Sequence, residues 1–155
     1  MKILYLHGWQ SVPGGVKPSY LKQAGHQMLE PALPDEDFDA AVRIAENWLA
    51  ENGADLIVGS SRGGAVAVNM QAAGVPRVLL CPAWKRWGSI DRVPPGTIIL
   101  HAPADEVVPY ADSQELLSRS GLSESALIAV GTEHRLADPE SLAMLLKVVD
   151  SLQVS

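Results

Sequence analysis

Six short apolar runs constrain this chain more than any other feature of it: Lys2–Leu6, Gln27–Leu33, Asp55–Val58, Arg77–Leu80, Thr97–His101 and Ala126–Val130. Each is a continuous apolar stretch rather than an in-out alternation, the pattern of strands covered on both faces. Helical stretches alternate with them. Ser19 to about Gly25 follows the Gly- and Pro-rich loop His7–Pro18, and Ala41, Ile44, Ala45, Trp48 and Leu49 mark one face of a helix ended by Asn52-Gly53. Arg62–Ala73 is a helix of small residues, Ala111–Ser118 another, and a last one from Pro139 should bury Leu142, Leu145, Leu146, Val149 and Leu152. Strands alternating with helices predict an α/β fold with about six mostly parallel strands and helices on both faces.

The length of 155 residues suits one domain with a single core, 1–155, without room for a cap. An apolar fraction of 47% and a charged fraction of 19% are those of an ordinary globular chain. The net charge of -6, with no cluster of Lys and Arg, argues against a nucleic-acid or anionic membrane partner. No apolar run approaches a membrane span, and Met1–Leu6 is too short for a secretory leader, so a cytoplasmic location is expected. Cys81, the single cysteine, rules out an internal disulfide and a multi-cysteine zinc site; no metal or cofactor is expected.

The strongest chemical signal is Gly59-Ser60-Ser61-Arg62-Gly63, a G-x-S-x-G between an apolar strand and a small-residue helix. On its own the pattern is common, and its glycines could serve packing only. Its position gives it weight, because a serine on a sharp strand-to-helix turn is exposed for attack. A serine hydroxyl is a poor nucleophile until a base takes its proton, and the base needs a partner that sets its tautomer. Of the four histidines, His7, His26, His101 and His134, only His134 lies in a loop late in the chain, after the sixth strand. Asp105 follows the fifth strand in Asp105-Glu106-Val107-Val108-Pro109 and is favoured over Glu106 as the orienting acid. Asp112 and Asp138 read as helix caps, and Glu133 as solvent-facing.

An oxyanion hole needs two backbone N–H groups. Arg62, at a helix N-terminus, and Trp9, in His7-Gly8-Trp9 after the first strand, are the candidates. Trp9 and Trp84, ahead of Trp87, are the candidates for an aromatic substrate rim, and the Arg62 side chain is expected at the surface. Cys81 is given no catalytic role.

Taken together, Leu6-His7-Gly8-Trp9, the Gly59 to Gly63 turn, the Asp105 loop and His134, in the order Ser, Asp, His, resemble the α/β-hydrolase superfamily over nearly the whole chain. Within it the chain is similar to small capless bacterial serine esterases of the YqiA type, and more distantly to retinoblastoma-binding-protein-type serine hydrolases. The resemblance implies strand order 2-1-3-4-5-6, no cap domain in the short segment Cys81–Gly96, and a small-molecule ester or thioester substrate cleaved through an acyl-enzyme. Thioesterase or amidase chemistry would use the same residues. A low-turnover protein-binding module on a hydrolase scaffold is the reading from another class. A dinucleotide site is disfavoured, since Gly14-Gly15 lacks the G-x-G-x-x-G spacing. An exposed sheet edge would allow a homodimer, without the sequence selecting which edge.

Overall fold

The computed structural model describes residues 1–153. Six strands form one sheet in the order β2-β1-β3-β4-β5-β6, with β1 Lys2–Leu6, β2 Gln27–Leu29, β3 Leu56–Ser60, β4 Arg77–Leu80, β5 Ile98–His101 and β6 Leu127–Ala129. All five pairings are parallel, from Leu6 beside Gly59 in the centre to His101 beside Ala129 at one edge. The helices are α1 Val16–Gln23, α2 Phe38–Asn52, α3 Arg62–Asn69, α4 Tyr110–Arg119 and α5 Pro139–Ser151.

Because successive strand residues point to opposite faces, each apolar run feeds two cores. Leu4, Leu6, Ile57, Leu79 and Ile99 meet Ala41 and Ala45 of α2, Val66 and Ala67 of α3 and Leu116 of α4. Ile3, Tyr5, Leu56, Val58, Val78 and Leu100 meet Leu21 of α1 and Leu145, Val148 and Val149 of α5. Complete burial of a Leu or Ile side chain contributes roughly 1.5 to 3 kcal/mol against its exposed state. Helices on both faces therefore account for the continuous apolar runs.

Several boundaries differ from the sequence expectation. α1 begins at Val16, three residues early, with Pro18 in its first turn, where a missing N–H costs no helical hydrogen bond. β2 stops at Leu29 instead of Leu33, because Pro31 cannot donate to a strand ladder. α3 stops at Asn69 instead of Ala73: Met70 is extended, and the Asn69 carboxamide accepts from the N–H groups of Ser89 and Ile90. Asp138 caps α5 by accepting from Ser141 N. Asp112 lies in the first turn of α4 and is not its cap; it pairs with Lys85 at 3.5 Å. In α5, Leu146 and Leu152 are only partly buried.

The segment 81–97 between β4 and β5 runs close to the body without an inserted domain, so the C-terminal edge of the sheet is left open. No helix among the described residues is long and apolar enough to cross a membrane.

Candidate active site

In a parallel sheet every strand delivers its following loop to the same edge, and four such loops meet here. They are His7-Gly8-Trp9 after β1, Ser61 after β3, Asp105 after β5 and His134 after β6. They border a cleft of about 350 Å³.

Ser61 has φ 56° and ψ -115°, a backbone state that costs a non-glycine residue about 1 to 3 kcal/mol. Its neighbours allow the turn only because they lack side chains. A Cβ on Gly59 would lie 2.9 Å from Gly64 Cα, one on Gly63 would lie 2.7 Å from His7 O, and one on Gly64 2.9 Å from Pro82 Cα. The turn is held by Ser61 N donating to Leu80 O at 2.9 Å and Ala83 N donating to Ser61 O at 3.0 Å.

His134 Nε2 lies 2.9 Å from Ser61 Oγ and its Nδ1 lies 2.7 Å from Asp105 Oδ2. A carboxylate only accepts, so Nδ1 carries the proton and the Nε2 lone pair faces the serine hydroxyl. The histidine loop is shaped by Gly131, at φ 80°, where a Cβ would press on Ser141 Oγ at 2.5 Å and Leu136 Cδ2 at 2.7 Å.

Asp105 Oδ1 accepts from Val107 N at 2.7 Å and Val108 N at 2.8 Å. Oδ2 faces His134 and also His101 Nε2 at 3.2 Å. Burial pushes the Asp105 carboxyl upward, but the His134 hydrogen bond, the Val108 and Val107 N–H groups and the His134 charge outweigh it and hold it below its ordinary value.

His101 was not singled out from sequence as part of this cluster. It is fully buried, with Nδ1 2.6 Å from Ser113 Oγ and Nε2 2.9 Å from Val108 O. Both Nε2 neighbours, a carbonyl and a carboxylate, only accept. Nε2 therefore bears the proton and Nδ1 accepts from the Ser113 hydroxyl. Burial holds the His101 pKa below the ordinary histidine value, against the partial opposition of Val108 O and Asp105.

The other histidines lie elsewhere in role or place. His7 Nε2 accepts from Leu33 N at 3.0 Å, and its Nδ1 lies 2.9 Å from Gly8 O, which fixes the turn after β1. His26 sits between the terminal amine of Met1 and Asp150, away from the cleft.

The loop after β1 passes close to the serine, since a Cβ on Gly8 would stand 3.5 Å from Ser61 Cβ. This brings Trp9 to the cleft, where its side chain is 54% exposed. Arg62 opens α3, so its N–H is one of the donors that a helix leaves unsatisfied.

Two side-chain expectations need correction. Trp84 does not border the cleft; it is buried, with Nε1 donating to Asp112 O at 2.9 Å, because its indole fills the space beneath α4. Trp87 borders the cleft in its place. The Arg62 side chain is not at the surface: it is fully buried, donates from Nη2 to Pro34 O at 2.8 Å and Asp35 O at 3.2 Å, and is sandwiched between the rings of Phe38 and Trp87, each 5.5 Å away. Stacking on aromatic faces compensates in part for the buried charge. Trp84 turns inward from an irregular segment and Arg62 from the first residue of a helix, two places where the burial of a side chain is not encoded by periodicity.

Cys81 is buried behind the site, and burial pushes its thiol well above the usual range. Its Sγ lies within 4.8 Å of ligand-type atoms of Asp105 and His134. Asp105 Oδ2 and both His134 nitrogens are already engaged in the line to Ser61, and the protonated thiol supplies no ready metal ligand.

The family described as "Uncharacterised protein family (UPF0227)" matches residues 2–93. Among solved structures, alpha/beta hydrolase domain-containing protein 10 from mouse superposes with a TM-score of 0.75 at 15% identity, over 97% of this chain and 88% of that one. A monoacylglycerol lipase from Paleococcus ferrophilus gives a TM-score of 0.73 at 14% identity, over 97% and 93%. The ydeN gene product of B. subtilis gives a TM-score of 0.73 at 14% identity, over 97% of each chain. At these identities the likeness establishes the α/β-hydrolase fold.

Proposed function

For a chain that belongs to the uncharacterised protein family UPF0227 and has the α/β-hydrolase fold, we propose the function of a serine hydrolase that cleaves small carboxylic esters. The observation that carries this reading is the unbroken line from Ser61 Oγ through both nitrogens of His134 to Asp105, at 2.9 and 2.7 Å, opening on a cleft. Two solved structures of this fold, the esterase domain of a Rhodothermus marinus protein and the monoacylglycerol lipase, agree with it in reaction class.

In this reading the Ser61 Oγ–H proton passes to His134 Nε2 as Oγ bonds to the carbonyl carbon. Asp105 stabilises the imidazolium and stays ionised. The oxyanion faces the N–H groups of Trp9 and Arg62, each contributing about 3 kcal/mol to transition-state stabilisation. Collapse breaks the ester C–O bond, and His134 returns the proton to the leaving alcohol. Water then repeats the sequence on the acyl-serine, releasing the acid. A thioester or amide would follow the same steps with another leaving group, and the site itself does not separate them.

The test is reaction of the pure protein with a fluorophosphonate, read by intact mass. A single adduct on the wild type that is absent from Ser61→Ala supports the reading. No adduct on the folded wild type overturns it and leaves a binding module on a hydrolase scaffold.

A further inference from the structure

The chain carries 18 acidic and 12 basic residues, yet the charged side chains bordering the cleft are Lys17, Arg86 and Arg135, with no Asp or Glu among them. Asp105 is the acid closest in role, but its side chain is wholly buried behind His134 and its oxygens are occupied. Glu106 and Glu133, beside the two catalytic-loop residues in sequence, are exposed and do not border the cleft. Among the described residues none of the three cations makes an ion pair, whereas the surface cations Lys85 and Arg119 each pair with two carboxylates. A net-negative chain thus concentrates unpaired positive charge at one mouth.

Lys17 is the most constrained of the three. It is half-buried in the first turn of α1, and its Nζ donates to Arg135 O at 2.6 Å, leaving two N–H donors. Burial holds its ammonium below the ordinary lysine value. A half-buried ammonium without a counter-charge is costly to keep out of water, and an anion bound at the cleft that Lys17 and Arg135 both border removes that cost. Apolar side chains share the rim with them: Val12, Val16 and Trp9 are at least half exposed.

We infer that this cleft selects anionic esters, substrates with a carboxylate or phosphate a few bonds from the scissile carbonyl, held by Lys17 and Arg135 while the apolar rim covers the intervening carbons. The inference rests on the hydrolase reading for the bond that is broken. It adds which molecules reach that bond. Electrostatic focusing into a cleft also raises the encounter rate of such substrates, in a manner that salt suppresses.

The experiment compares kcat/KM for 4-nitrophenyl hydrogen glutarate and 4-nitrophenyl valerate, which differ chiefly in a terminal carboxylate. The wild type should favour the glutarate by about tenfold or more, the worth of one charged hydrogen bond. The ratio should shrink severalfold in about 0.5 M salt, where screening is short-ranged. Lys17→Met and Arg135→Gln should each lower the ratio severalfold, and the ratio cancels any loss common to both esters through the His134 loop. Competition by glutarate against inorganic phosphate tells which anion the site prefers. A wild-type ratio at or below one, or a ratio unchanged in both variants, overturns the inference while leaving the hydrolase reading intact. If neither ester is turned over, the hydrolase reading fails. Binding to Ser61→Ala, followed by quenching of the cleft tryptophans, then decides this inference alone: tighter binding of the glutarate sustains it and equal affinity overturns it.

Discussion

His101 and His134 meet at one oxygen of Asp105: Oδ2 lies 3.2 Å from His101 Nε2 and 2.7 Å from His134 Nδ1. One carboxylate oxygen therefore serves two imidazoles, and the inner one is pinned by Ser113 and Val108. In the proposed reaction positive charge develops on His134 while the Asp105 charge must stay in place, and the buried His101 ring, whose N–H donates to Val108 O, packs 3.2 Å from that carboxylate and fixes its position. His101→Phe should lower kcat by about three- to tenfold with little change in KM, the cost of losing the N–H donated to Val108 O and the packing behind Asp105. His101→Gln, which retains an N–H donor, should recover part of kcat. Steady-state kinetics of the three proteins on one ester measure both effects, and equal kcat in all three would remove His101 from the relay.

The same buried imidazole couples folding to pH. Its folded pKa is depressed, so the unfolded chain takes up the proton first, below about 6.5. By linkage, stability is complete above that pH and declines as pH falls through it, by at most about 1.4 kcal/mol per pH unit for one group. Asp105 acts in a lower window: its depressed pKa supplies stability above about 3.9, which is lost only as pH falls through the folded value. Denaturant titrations of the wild type and His101→Gln between pH 7 and 5 should diverge, with the flatter curve for the variant.

Ser61 pays for its exposure with φ 56°, and glycine does not pay. Ser61→Gly should abolish hydrolysis and yet raise stability by about 1 kcal/mol or more, a gain of at least about 2 °C in Tm for a chain of this size. Calorimetry beside Ser61→Ala, which keeps the strain, isolates the backbone contribution. A Tm no higher than that of Ser61→Ala would show that the turn is unstrained.

The two tryptophans of the β4–β5 segment should separate cleanly. Trp84→Leu opens a cavity beneath α4 and removes the indole hydrogen bond to Asp112 O, costing about 2 to 3 kcal/mol of stability with kcat/KM nearly unchanged. Trp87→Leu removes cleft wall and one face of the Arg62 sandwich, so its main effect should be a severalfold rise in KM. Thermal melts and kinetics on both variants check the assignment, and the reverse pattern would refute it.

Legibility from sequence followed physical regularity. β1 and β4 were readable to the residue, because apolar runs between turn signals record burial on both faces. The strand order likewise agreed with that expected, and the parallel sheet brings Ser61, Asp105 and His134, chosen from loops far apart in the chain, to one edge. What escaped depended on side-chain direction in loops and at the ends of elements. Trp84 and Trp87 are three residues apart on a loop with no period, so nothing local says which one turns inward. Arg62 looked exposed because arginine usually is, and its aromatic partners, Phe38 and Trp87, come from distant segments. His101 looked like an ordinary strand end, since its partners Ser113 and Asp105 are set by how α4 packs.

In the proposed reaction, the bare segment between β4 and β5 bears on the fate of the acyl group carried by Ser61. With no lid over the edge of the sheet, such a group faces bulk water on one side. Water is present in vast excess over any alcohol or amine, and nothing there shelters a competing acceptor. Partitioning of the acyl-serine should therefore run to the free acid, with transfer products scarce even when a second alcohol is supplied. The missing lid would make this a hydrolase by exposure rather than by recognition of water.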